Sequence, residues 1–321
     1  MANGCIVLIT KDRPDTLAKS LVKLEKTDIN TVIVDDSTLP ETYNFIRDKY
    51  KGSNIVYHGK NEQDALLKSF KDLEFKKFIK PLGTKGWNLG FVRNYALIVA
   101  KSIIHGGSKI LFMDDDIIIG EPDQVYQVFN QIGKFDFVGA KITGMIDDSV
   151  VGHLNRACGG ECYEFLAGGF LAFDINTVTE YFLNHYNEDQ IWLFLHSPET
   201  RFKSFHSVEQ QEYSTFENAI TKAYSQEFGE ILQEGSEEAF RQKSHSLLLK
   251  ENFWKEICDA RVNFLNQLPK LTNRTNLEHV GLNIYKNLRD YHSKTSHVLF
   301  VNVFQRYFES RTQWRTVFDL I

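Results

Sequence analysis

Three consecutive aspartates, Asp114, Asp115 and Asp116, stand inside the apolar run "ILFMDDDIII". Adjacent carboxylates repel one another and an unpaired ion in a core is costly, so such groups reach water, find cationic partners or bind a metal. If the run is a strand, Asp114 and Asp116 share one side of it. Carboxylates so placed suit Mg2+ or Mn2+, hard ions that also take phosphate oxygens and neutralise their charge. A second pair, Asp35 and Asp36, follows the apolar run in "VIVDDST", and a third, Glu188 and Asp189, opens "EDQIWLF". Helix N-termini favour carboxylates by capping and by the macrodipole, which alone could account for the third pair. A carboxylate there could equally act as a general base.

The elements that must position these groups follow from the apolar patterning. "CIVLIT" (5–10), "NTVIVD" (30–35), "NIVYHG" (54–59) and "KILFM" (109–113) are compact apolar runs of the kind expected for strands, the longer ones buried on both faces. Helical stripes separate them: Leu17, Leu21 and Leu24 after Pro14, then "PETYNFIRDKY", the segment 61–80, and the strongly apolar stretch 86–104. Strand–helix alternation of this kind predicts an α/β domain with a mostly parallel central sheet and helices on both faces. Open sheets of this type gather ligands beyond the carboxyl ends of their strands, where both aspartate clusters fall, so the aspartates are expected to face a crevice. From 137 to 205 the pattern is mixed: "FVGAKITG", "GGFLAFDI", a helical pattern in "NTVTEYFLNHY" and another in "DQIWLFLH". Beyond 207 the chain reads as helical and polar, which sets two expected domains: a catalytic α/β domain over 1–206 and a helical C-terminal lobe over 207–321.

Composition excludes several classes. The 321 residues suffice for one large domain, or one with an accessory lobe. A net charge of −5 supplies no general attraction for nucleic acid. No apolar run reaches the roughly 18–20 residues of a membrane span, though peripheral membrane contact stays open. The first residues are too short in apolar length for a secretory signal. Four cysteines are too few and scattered for a disulfide framework, so a reduced cytoplasmic protein is expected. Cys158 and Cys162, in "CGGEC", have no second pair at ligand spacing, which argues against zinc. The sequon at Asn273 carries little meaning without a secretory route.

In chain order, "LITKDRPDTL", "VIVDDST", "GWNLGFVRNYALIVA" and "ILFMDDDI" resemble the nucleotide-binding half of GT-A glycosyltransferases, nearest the family 2-like group. The resemblance covers about residues 5–206. It departs from the family pattern in two places. The segment Asn88–Asn94 is one residue shorter than the commonest spacing, and Asp35-Asp36-Ser37-Thr38 lacks the usual glycine. The resemblance implies a Rossmann-like GT-A fold. It further implies a metal-dependent, inverting transfer of a sugar from a nucleoside-diphosphate donor to a hydroxyl on a glycan, lipid-linked or protein acceptor. A UDP-sugar is favoured only by its frequency in the family.

Carried over by position, Thr10 and Asp36 would contact the nucleoside, with Asp35 either sharing that role or holding the neighbouring turn. Arg93 would face the nucleotide, where its planar fork suits a base or phosphate. Asp114 would lie near the ribose and donor sugar, and Asp116 would be the main ligand of Mn2+ or Mg2+. His206 is the expected further ligand, with His196 its competitor. Gly168 and Gly169, in "LAGGFLAFD", would bring backbone close to the donor sugar, unless they form a plain turn. Asp189 would be the general base, with Glu188 second. The helical lobe shows no catalytic motif and is a candidate surface for acceptor, partner or homo-oligomer contacts; Phe253, Trp254 and Phe264 read as core.

Other classes remain. A sugar-1-phosphate nucleotidyltransferase also uses such a sheet but wants a glycine-rich loop after the first strand, which "TKDRPDTL" lacks. A haloacid dehalogenase-type phosphatase needs Thr or Val where Ile118 stands. A non-enzymatic cation-binding α/β interaction domain would leave Glu188 and Asp189 without a task.

Overall fold

The computed structural model describes residues 4–49, 54–69, 88–104, 107–145, 148–160, 166–273 and 275–319. In chain order the elements are β1 (Gly4–Thr10), α1 (Pro14–Leu24), β2 (Asn30–Asp35), α2 (Pro40–Lys49), β3 (Ile55–His58), α3 (Lys60–Ser69), α4 (Leu89–Ile103), β4 (Lys109–Asp114) and β5 (Ile117–Ile118). They continue with α5 (Asp123–Phe129), β6 (Phe137–Gly144), α6 (Val150–Ala157), β7 (Phe170–Asp174), α7 (Glu188–Phe194) and β8 (Phe202–Gln210). The C-terminal helices are α8 (Ala219–Arg241), α9 (Glu251–Leu265), α10 (Leu268–Thr272), α11 (Glu278–Lys294) and α12 (Val298–Asp319).

Residue alternation along the strands builds two cores on one sheet. Cys5, Val7 and Ile9 of β1, Val32 and Val34 of β2, and Ile110 and Phe112 of β4 face α4 and the C-terminal helices. Ile6 and Leu8, Ile33, and Leu111 and Met113 face the other way, onto Leu17, Leu21 and Leu24 of α1 and Val125, Val128 and Phe129 of α5. Among the described residues eight strands run in the order β3-β2-β1-β4-β7-β6-β8-β5. β3, β2, β1 and β4 are mutually parallel, and β7 then pairs antiparallel with β4. The expected α/β sheet with helices on both faces is therefore present, and its far half is mixed: β6 is antiparallel to β7 but parallel to β8, which β5 closes antiparallel. From β1 the chain moves outward to β2 and β3 and then returns to the other side as β4. That reversal opens a crevice beyond the carboxyl ends of β1 and β4, at Thr10 and Asp114.

Two expectations change. The segment 176–186, read as helical, has only a 3-10 turn over Ile175–Thr177 and otherwise follows an irregular course. Tertiary partners take its backbone: the Asn94 side chain donates to Phe182 O at 2.8 Å and accepts from Phe182 N at 2.7 Å, and Trp192 Nε1 donates to Glu180 O. Gly90 packs so closely on Leu183 that a Cβ there would lie 2.2 Å from its carbonyl oxygen. The second change is at residue 206, which falls within β8, so the sheet runs on to Gln210 before the helices begin. The helical lobe moreover shares one continuous core with the sheet. Trp254, fully buried, stacks on Phe300 and Phe304 in the same cluster as Phe112 and Phe137. Part of the 61–80 reading, Gly86 and Trp87, Cys162 and Arg274 of the sequon lie outside the described residues. Cys5, Cys158 and Cys258 carry free thiols. No helix among the described residues is long and apolar enough to cross a membrane.

A buried ion network ties the lobe to the site. The Arg261 fork donates from Nε and Nη2 to the two oxygens of Glu227 at 3.0 and 2.8 Å, and from Nη1 to Glu234 at 2.8 Å. Burial opposes ionisation of Glu227, but Arg261 and His292 outweigh it and hold its carboxyl down at about 2. The neighbouring Glu230 accepts from Asn187 Nδ2 at 2.8 Å, the residue that opens α7 with a left-handed φ of 60°. Glu227→Gln is expected to destabilise the protein by about 3–5 kcal/mol at neutral pH, read from urea unfolding, because it strips a buried guanidinium of its bidentate partner. The depressed carboxyl stabilises the fold fully above its ordinary value of 4.5 and loses that effect as pH falls through about 2. The gap between wild type and variant should therefore narrow progressively as pH falls from about 4.5 towards 2. Coincident unfolding curves at neutral pH would mean that Glu230 and Glu234 suffice for Arg261.

Candidate active site

The crevice holds a cavity of about 310 Å3 lined by Ile9, Thr10, Lys11 and Arg13 from the end of β1, Asp36 from β2, Asn88, Leu89 and Val92 from the start of α4, and Asp114 from β4. The two aspartates after β2 part company. Asp35 turns inward, accepting from Ser37 N at 2.8 Å and Tyr57 OH at 2.5 Å, and so holds the turn. Asp36 turns to the cavity, where Lys11 Nζ at 3.1 Å, Asn88 Nδ2 at 3.0 Å and Lys60 Nζ converge on it. Thr10 lines the cavity, but its hydroxyl is spent on Asp115 Oδ2 at 2.7 Å. Asp12, at a φ of 53°, staples the two strand ends together by accepting from Thr38 N and Leu39 N.

The three consecutive aspartates take three environments. Asp114 is partly exposed at the cavity. Asp115 is fully buried, with its backbone oxygen accepting from Ser20 Oγ and its carboxylate 2.5 Å from Arg13 Nη2. Burial pushes the Asp115 carboxyl up to about 7 against the pull of Arg13 and Thr10. Asp116 is also raised, by burial and then by the charge of Asp114. Its Oδ2 takes Arg13 Nη1 at 3.3 Å and Gln210 Nε2 at 3.4 Å, while Oδ1 is buried with no hydrogen-bond partner among the described residues. An orphaned carboxylate oxygen beside a second carboxylate is what a hard divalent ion would satisfy.

Arg93 does not line the cavity. It is buried, with Nε 3.0 Å from Glu188 Oε1, Nη1 donating to Gly168 O at 3.2 Å, and Nη2 3.2 Å from Asp114 Oδ1. Arg93, expected at the nucleotide, here bridges the β4 aspartate and the Glu188 carboxylate of α7. Burial pushes Glu188 up to about 7 even though Arg93 lowers it. Asp189, half-buried, accepts from Gly168 N at 2.6 Å and from Gln190 N at 2.8 Å. A Cβ on Gly168 would stand 2.6 Å from Asp189 Cβ, and one on Gly169 would stand 3.2 Å from Asp114 Oδ2. The paired glycines therefore let Asp114 and Asp189 approach the same backbone from two sides.

His206 is not brought to this cluster. It sits exposed at a φ of 69° where the pairing of β8 with β6 is irregular. Ile117 pairs with Gln210, which sets Asp116 beside Gln210 and Gln211 and leaves His206 about 13 Å further along the strand from Gln210. His196 is buried against Phe137 and Trp192, away from the aspartates in the core. Among the described residues no three His, Cys, Asp or Glu side chains group as a metal cluster. Residues that the sequence reading passed over are Lys11, Arg13, Asn88, Lys60 and Gln210. The first three stood inside the quoted motifs, whereas Lys60 and Gln210 carried no local signal, since only strand order brings them in.

Fold and site together define an α/β protein with a crevice lined by charged residues at the switch point of its sheet. No family model matches the sequence, and no curated protein matches it. Among solved structures the chain is similar to glucosyl-3-phosphoglycerate synthase from Mycobacterium tuberculosis in complex with Mn2+, uridine diphosphate and glucosyl-3-phosphoglycerate, with 15% identity, a TM-score of 0.46, and coverage of 69% of this chain and 76% of that one. It is similar to S. aureus TarS, with 15% identity, a TM-score of 0.45, and coverage of 95% and 92%. It is also similar to 4-diphosphocytidyl-2C-methyl-D-erythritol synthase from Anaerococcus prevotii, with 12% identity, a TM-score of 0.37, and coverage of 68% and 93%. At such identities and TM-scores these likenesses carry nothing about substrate.

Proposed function

We propose that this chain is a divalent-metal-dependent, inverting glycosyltransferase that moves a sugar from a nucleoside-diphosphate donor, a UDP-sugar in the first instance, to a hydroxyl acceptor. The observation that carries the reading is the cavity in which Asp36 and Asp114, from the ends of two strands flanking β1, meet Lys11, Arg13 and Asn88. Asp36 and Asn88 would hydrogen-bond the nucleoside, and the cations would face the diphosphate. Asp116 and Asp114 would hold Mn2+ or Mg2+, since such ions are bound by one or two carboxylates together with substrate phosphates. The bound ion would neutralise charge on the departing diphosphate.

On the other side of Gly168 and Gly169, Asp189 is the candidate general base. Its backbone hydrogen bonds fix its orientation, and its partial exposure leaves it open to an acceptor hydroxyl. Glu188 is enclosed by Arg93 and suits the role of holding α7 in register with Asp114.

A thermal-shift panel tests the reading with UDP, GDP, CDP and dTDP, each with and without Mn2+. A ligand at 100 times its Kd adds about 2.7 kcal/mol, several degrees in Tm for a chain of this size. One nucleotide should stabilise the wild type, and should do so only with Mn2+. No shift with any nucleotide would overturn the proposal in favour of a cation-binding interaction domain.

A further inference from the structure

We propose that Arg13 is a tethered counter-cation that a divalent ion must displace from Asp116, and that the displaced guanidinium then takes the donor diphosphate, so that ion and nucleotide bind cooperatively. This rests on the transferase reading above and adds to it a residue that couples the two ligands.

Arg13 grips its two carboxylates unequally. Nη2 stands 2.5 Å from Asp115 Oδ1, deep in the fold, whereas Nη1 stands 3.3 Å from Asp116 Oδ2. The side chain is half exposed and also lines the cavity with Lys11, Asp36 and Asp114. Its backbone cannot follow a large movement. The preceding Asp12 is held by Thr38 N, Leu39 N and Ser37 Oγ, and Pro14 starts α1. The guanidinium can therefore swing about a fixed root, within reach of both the acidic turn and the cavity.

A divalent ion on Asp116 and a guanidinium 3.3 Å from the same carboxylate are like charges at close range, in a site that burial shields from water. Each weakens the other. Diphosphate in the cavity removes that conflict, because an arginine fork matches phosphate oxygens as well as it matches a carboxylate. Ion binding alone must then compete with Arg13, while ion binding beside a diphosphate does not. By thermodynamic reciprocity the ion tightens nucleotide binding by the same factor, and such couplings are typically about 5–150-fold.

The test uses the full chain. Mn2+ affinity without nucleotide is read from loss of the free-ion paramagnetic resonance signal, and UDP affinity with and without Mn2+ from equilibrium dialysis. Arg13→Gln should bind Mn2+ alone several-fold more tightly than the wild type, and Mn2+ should improve its UDP affinity far less. Should Arg13→Gln fold poorly because Asp115 loses its partner, the double variant Arg13→Gln with Asp115→Asn removes both halves of the buried pair and should give the same two results. Unchanged or weaker Mn2+ affinity with full coupling in these variants would overturn the proposal alone and leave Arg13 as a neutraliser of Asp115. A wild type that takes up neither Mn2+ nor nucleotide would overturn the transferase reading and this proposal with it.

Discussion

Replacing Asp116 by Asn is expected to lower metal-dependent turnover by on the order of 10^3-fold, about 4 kcal/mol of transition-state stabilisation, while leaving the fold intact. The fold should survive because the backbone at this position does the structural work: Asp116 O accepts from Gln211 N at 2.9 Å, which docks the end of β8 on the acidic turn. An amide oxygen can still accept from Arg13 and Gln210 at the Oδ2 position, and the amide nitrogen then falls where Oδ1 has no partner. One buried negative charge also leaves a cluster in which Asp114 disfavours ionisation of its neighbours. Stability should thus change by under about 1 kcal/mol, whereas an ion loses the charged ligand it needs. Circular dichroism and Tm report the fold, and turnover at saturating Mn2+ and donor reports the chemistry. Full activity in this variant would sink the assignment of Asp116 to the metal.

Asp189→Asn should cut turnover by about 10^2–10^4-fold at unchanged donor affinity, the range a positioned general base supplies. This substitution has a structural cost that the first lacks. Both Asp189 oxygens accept backbone N–H donors, from Gly168 and from Gln190, and an amide can accept from only one while its NH2 opposes the other. A loss of about 1–3 kcal/mol in folding is expected alongside the catalytic loss. The two effects separate when turnover is counted per folded molecule. Near-wild-type turnover per folded molecule would reduce Asp189 to a tether between the first turn of α7 and Gly168. A parallel fall in donor affinity would instead move it to the binding side of the crevice.

Both predictions concern residues that stood out in the sequence before any fold was known, and the reason is local. A carboxylate beside an apolar run must end that run or be neutralised, so Asp36, Asp114 and Asp116 announced strand ends. The compact apolar runs "CIVLIT", "NTVIVD" and "KILFM" likewise announced a sheet buried on both faces, as the two cores confirm. What each side chain does once there was less legible. Thr10, expected at the nucleoside, spends its hydroxyl on Asp115, and Arg93 spends its fork on Asp114 and Glu188. Those partners lie 105, 21 and 95 residues away in the chain, beyond any local pattern.

Local patterning was enough to set the alternating elements of the first half, the helical character of the last third, and the strand ends at which acidic groups collect. Period-two and period-3.6 patterning are properties of a few adjacent residues, and burial acts on them wherever the segment finally lies. Tertiary packing turned Asp36 rather than Asp35 to the cavity and drew 176–186 out of helix into contacts with Asn94 and Gly90. It also decided that Gln210 rather than His206 meets Asp116, and that the helical lobe shares the core of the sheet and reaches Asn187 through Glu230. Each of these depends on strand order, register and the hydrogen-bond partners that distant segments supply. A one-residue change of register would turn every side chain of a strand to the other face, and no short stretch of sequence carries that information.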